Sequence, residues 1–273
     1  MTLDQAQRSG GMTAPDRPAV ASLSRMLLAQ TRAELLMRWR VPAFSLTSLA
    51  LPVVFFTFFG LPAAGLTRPD GISVGAFLVA SFGAYAVGSV MVYSFGIGVA
   101  VERGMKVDLL MRVAPVPAGV YLLAKVITAL VFSLVSVVVL IAYGVVVGGV
   151  TQPPAVWGEM IVRLLAGSVP FIGLGLAIGY MAGPHSAPAV ANLVYLPLAF
   201  ASGLFVPPNQ LPRFVQTFAP YLPTYHYGQL VWGSLHASTE PLAMSLAWLA
   251  GYAVLFFAVA LKAYRGDEQR KFS

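Results

Sequence analysis

Few side chains in this sequence have the means to do chemistry, and six of the charged ones stand together in one stretch between long uncharged runs. From Glu102 to Lys125 the chain reads ERGMKVDLLMRVAPVPAGVYLLAK, with Glu102, Arg103, Lys106, Asp108, Arg112 and Lys125 set between two long uncharged runs. Carboxylates interleaved with cations, with Leu109 and Leu110 among them and Pro115 at the end, suit a short helix that docks on another macromolecule. They do not supply the nucleophile–base pair that bond-making needs. Glu159 and Arg163 stand four residues apart and can pair on one helix face as a structural ion pair. The three histidines, His185, His226 and His236, are far apart in sequence and belong to no HExxH or similar ligand set, so they read as surface or interfacial side chains and no metal site is expected. With no cysteine, disulfides, thiolate zinc sites and cysteine nucleophiles are excluded. There is no GxxxxGK[ST] loop and no GxSxG elbow, so neither P-loop binding of ATP nor serine hydrolysis is encoded in these residues.

Composition says what must position these groups. Of 273 residues 58% are hydrophobic and only 10% charged, with a mean hydropathy of +0.78. A soluble domain carries about a quarter charged residues; this chain cannot cover a globular surface and must be sheathed in lipid. The net charge of +7 is not a nucleic-acid footprint, because the cations sit in short segments between apolar runs. The expected fold is all-α and membrane-integral. Residues 1–20 form a disordered polar tail without the apolar core of a signal peptide. Residues 21–40 form an interfacial helix with Arg38, Trp39 and Arg40 at headgroup level, although Glu34 interrupts its apolar face. Six spans follow within 41–264, at about 43–62, 72–101, 120–149, 156–181, 189–206 and 241–262, since a core of about 30 Å needs about 20 helical residues. Pro52 in the first span is tolerated if a neighbouring helix serves the carbonyl it frees. The second span is rich in Gly, Ala and Ser and is expected at the centre of the bundle. Gly175 and Gly179 form a GxxxG in the fourth. The stretch from about 205 to 228, broken by five prolines up to Pro223, reads as short helices dipping into the outer interface. Residues 265–273 are a second tail.

Charge parity orients the chain. With six spans, the N-terminal segment, the Glu102–Lys125 island and the C-terminal tail share one side, and every Lys and Arg except Arg68, Arg163 and Arg213 falls there. That side is the cytoplasm, and both termini are inside.

Two stretches carry a family pattern. VERGMKVDLLMRVAPVPAGVYLLAKV resembles the segment between spans two and three of the type-2 ABC exporter permeases, through Glu102, Arg103, Gly104, Leu109, Leu110, Pro115, Tyr121 and Lys125. Many members have Gly-Thr where this chain has Lys106 and Val107. NLVYLPLAFASGLFVPPNQLPRFVQTFAPYLPTYHYGQLVWG resembles that family's fifth span and outer re-entrant segment, through Asn192, Tyr195, Pro197, Ser202, Gly203, Pro207, Leu211, Pro212, Pro220, Leu222 and Pro223. The resemblance implies a bacterial cytoplasmic-membrane permease for drugs, lipids or lipid-linked glycans, with the island as a coupling helix. It also implies two copies of a separate ATP-binding subunit, which would hold ATP and Mg, and a second permease, identical or paralogous. The chain itself would be no enzyme and carry no cofactor.

Asn192, Tyr195, Ser202 and Tyr93 are candidates for the substrate pathway, set against a role in helix–helix hydrogen bonding. Two other classes stay open: a self-contained ion- or proton-coupled carrier, which would want an ionisable group inside its spans, and an intramembrane enzyme, disfavoured by the missing catalytic sets.

Overall fold

The computed structural model describes residues 22–40, 42–107 and 117–271, and their regular elements are helices apart from one bridge between Thr67 and Ser73. Helix α1 is Leu23–Trp39, where Leu, Met, Ala, Arg and Glu dominate. Helix α2, Pro42–Phe55, continues through a π turn at Phe56–Gly60 and a 3-10 turn at Leu61–Ala63. Pro52 has no N–H for the Ser48 carbonyl, and Ser136 of the neighbouring helix donates its hydroxyl there instead, at 2.8 Å. Helix α3, Val74–Gly104, starts at Ser73, whose side chain accepts from the Ala76 N–H. Then come α4 (Ala118–Val146), α5 (Pro154–Ala166), α6 (Val169–Met181) and α7 (Ala187–Ala201). Helices α5 and α6 follow one another with a break at Gly167–Ser168 just ahead of Pro170. The chain closes with α8 (Arg213–Phe218), α9 (Pro223–Trp232) and α10 (Leu242–Lys271).

Among the described residues four stretches are long and apolar enough to cross a membrane: Val74–Gly104, Gly119–Val146, Pro154–Met181 and Leu242–Gln269. Ser48–Ala63 and Ala187–Ala201 are shorter apolar helices. The apolar run after Ala189 was expected to stay helical to about 206. It stops at Ala201, because Gly203 takes a positive φ of 86° and Pro207 and Pro208 follow.

Helix α3 is the axis of the fold: 94% of its apolar window is buried, against 11% for α10. Its small residues allow this. A Cβ on Gly175 or Gly179 of α6 would press on the α3 carbonyls of Val92 and Phe95, at 2.9 and 2.8 Å, so the GxxxG is a backbone-to-backbone contact. The other side of α6 meets α10, where Gly173 faces Phe256. The proline-broken stretch after Gly203 folds back onto the bundle. Trp232 donates its indole N–H to Ser81 at 2.8 Å, and the Tyr227 hydroxyl donates to the Leu164 carbonyl at 2.6 Å.

Candidate functional site

The charged segment emerges from the C-terminal end of α3 and returns at the start of α4. Helix α3 ends because Lys106, a non-glycine residue, adopts a left-handed φ of 56°. Lys106 and Gly104 are exposed, and a Cβ on Gly104 would run into Pro184. Asp108, Leu109, Leu110, Arg112 and Pro115 lie outside the described residues.

Glu102 and Arg103 are turned inward. The two oxygens of Glu102 are divided between the Tyr121 hydroxyl and the Lys125 ammonium, both donating to it. Lys125 has no solvent exposure. Its Nζ also lies 3.3 Å from Glu34 Oε1 of α1 and 4.9 Å from the centre of the Tyr121 ring. Glu34 is buried beside Arg38, with 3.8 Å between Oε2 and Nε, and Arg38 donates to Ser94 of α3 at 2.7 Å. Burial pulls the Arg38 guanidinium below its ordinary pKa, against the opposing pull of Glu34 and Glu102; an arginine stays protonated regardless. Arg38 therefore does not share the exposed setting of Trp39 and Arg40 expected for it at headgroup level.

Arg103 pairs with Asp267 of α10, one contact being its Nε at 3.2 Å from Oδ2. It also donates to the Gly179 carbonyl at 2.7 Å and the Ala182 carbonyl at 3.4 Å. A cation on those last carbonyls caps the C-terminus of α6. The result is a nearly dry ionic cluster at one end of the bundle, tying α1, α3 and α4 together, with a branch to α6 and α10. In such a place each charge depends on its partner, since removing one side of a buried pair costs about 3–5 kcal/mol.

Sequence reading singled out Glu102, Arg103 and Lys125, noted Glu34 and Arg38 on the interfacial helix without joining them to the cluster, and passed over Asp267 and Ser94. The signal that could have joined Glu34 to the cluster was its charge on the apolar face of α1.

The other candidates lie elsewhere. Tyr195 is fully buried and donates to the Tyr85 carbonyl at 3.1 Å, against an α3 surface kept open by Gly88. Ser202 is buried, donating to the Leu198 carbonyl at 2.6 Å and touching Thr224. Only Tyr93 and Asn192 meet at an accessible face, with the tyrosine hydroxyl 2.8 Å from Asn192 Oδ1. Arg163 and Glu159 are 2.5 Å apart, and Arg163 also donates to the Leu230 carbonyl at 2.9 Å.

His226 corrects the reading of all three histidines as surface or interfacial. It has no exposure, stacks on Trp248 with ring centroids 4.8 Å apart, and holds Glu240 through Nδ1 at 2.9 Å and the Pro220 carbonyl through Nε2 at 2.8 Å. A carbonyl can only accept, so Nε2 carries a proton.

With the geometry in place, the comparisons with known proteins are clear. Residues 26–235 match the family model described as "ABC-2 type transporter". The chain is also 28% identical over 243 residues to the protein named "Putative transport permease YvfS" of Bacillus subtilis (strain 168), covering 89% of this chain and 98% of that one.

Proposed function

The chain belongs to the ABC-2 type transporter family, and on that premise we propose that it is the transmembrane permease subunit of an ATP-driven exporter in a bacterial cytoplasmic membrane. It crosses six times with both termini inside. The two short apolar helices, Ser48–Ala63 and Ala187–Ala201, complete the set begun by the four long ones. The segment from Gly104 to Pro115 docks on a separate ATP-binding subunit, which supplies ATP and Mg chemistry. Two such subunits and a second permease, identical or paralogous, complete the complex. The cargo is hydrophobic or amphipathic, in keeping with the apolar, aromatic helices.

One observation carries this reading beyond family membership. The two helix ends that bound the charged segment are anchored to each other and to α1 by buried ion pairs, so a force on the segment reaches the helices instead of dissipating in a slack loop. ATP-driven closure of the partner then has a mechanical route into the bundle.

The test is purification from membranes and transport. The chain should come out bound to an ATPase, and replacing residues 104–114 by a Gly/Ser linker should abolish ATP-dependent transport while the protein still inserts. Stable, active chain free of any ATPase, or normal transport with the linker, would refute the reading.

A further inference from the structure

The island holds one cation that a docking surface cannot use. Lys125 is a lysine with zero exposure at the start of an apolar helix, and no solvated or partner-facing role is open to it. Desolvating an ammonium is costly, and it is tolerated only where carboxylates surround it. Here there are two, from two other helices: Glu102 at the end of α3 and Glu34 of α1. Tyr121, one turn before Lys125 on α4, takes the second oxygen of Glu102.

Building on the permease reading above, we propose that Lys125 is the positioning residue of energy coupling. It ties the end of α3 and the start of α4, which bound the charged segment, to each other and to α1, so that these helix ends act as one lever. The partner's push on residues between Gly104 and Pro117 is delivered to α1, α3 and α4 as a unit, and the Arg103–Asp267 pair passes it to α10. A loop whose two ends could part would yield locally and leave the spans where they were. The lever works because Lys125 faces carboxylates on two helices at once: α3 cannot move off alone without parting Glu102 from its cation, and α1 cannot without giving up the Lys125–Glu34 contact.

A structural role and a coupling role can be separated. Lys125→Met alone leaves Glu102 without its cation, while Glu34 keeps Arg38, and should lower the melting midpoint of the complex. Lys125→Met combined with Glu102→Gln removes opposite charges together, and replacing both sides of a buried pair by uncharged groups of similar size is often neutral for stability. The double variant should therefore recover the melting midpoint and still co-purify with the ATP-binding subunit. The motion is read at the far end of the bundle. The chain has no cysteine, so spin labels can be placed cleanly at Asp70→Cys and Gln216→Cys, and their separation compared in the reconstituted complex without nucleotide and with ATP trapped.

The unaltered charge cluster should show an ATP-dependent change in that distance. The double variant should lose it despite restored stability. If the distance change returns together with stability in the Met/Gln double variant, Lys125 serves folding alone and the proposal is overturned. If the ATPase binds but ATP changes nothing in the unaltered cluster, the lever is refuted while the partnership stands. If no ATPase binds, the permease reading falls first and the lever with it.

Discussion

At the scale of single residues, several buried polar side chains of this protein, Tyr195 and His226 among them, are joined to named partners, and removing one should be felt in proportion to what it leaves behind. Tyr195→Phe deletes a hydroxyl that reaches the Tyr85 carbonyl at 3.1 Å while keeping the ring packed. It should cost about 1 kcal/mol, seen as a small drop in the melting temperature of the detergent-solubilised protein. His226→Ala removes two hydrogen bonds and a stacked ring, and leaves Glu240 without its partner. It should cost about 2–4 kcal/mol, read in the same melt. Equal melting of the two variants would contradict the placement of His226. Sequence alone could not see His226 because its burial depends on three separate pieces of chain. Pro220, Glu240 and Trp248 are brought around it only when the proline-broken stretch folds back.

Among the elements, the informative comparison is between glycines. A Cβ on Gly175 or Gly179 would sit only 2.9 or 2.8 Å from α3 carbonyls, inside van der Waals distance, whereas nothing lies within 4 Å of where a Cβ would sit on Gly251 of α10. Gly179→Leu should therefore wedge α6 off α3, with a loss of about 2 kcal/mol or more. Gly251→Ala should be neutral or slightly stabilising, by up to about 1 kcal/mol. Thermal unfolding of the two proteins side by side distinguishes them, and a Gly179 variant as stable as the Gly251 variant would mean the α3–α6 contact is not so close. The GxxxG was visible in the sequence and its physical meaning survives in the structure. The helices themselves were also readable, since composition in long apolar runs favours little else. What pattern did not give was the end of α7 at Ala201, set by the positive φ at Gly203, or the break between α5 and α6. Periodicity cannot register a single dihedral angle.

For the whole molecule, orientation is the prediction with most at stake. Single cysteines at Leu110 and Val215 should be labelled from opposite sides of the membrane by an impermeant maleimide. Labelling from one side only would overturn the six-span arrangement with both termini inside.

The sequence by itself determined the all-helical, lipid-facing character of the chain and the confinement of charge to a few segments. Both follow from additive properties, how many apolar residues occur and where the cations lie, and no contact between distant residues is needed to read them. It also marked Glu102 and Lys125 as ends of one charged segment. Tertiary structure alone decided that these two residues face each other in a dry site, that Glu34 joins them from α1, and that Arg103 reaches Asp267. Those partners are separated by 23, 91 and 164 positions along the chain. Pairing over such separations is a property of how helices pack, and the charged island of the sequence becomes a joint between helices only once α3 stands at their centre.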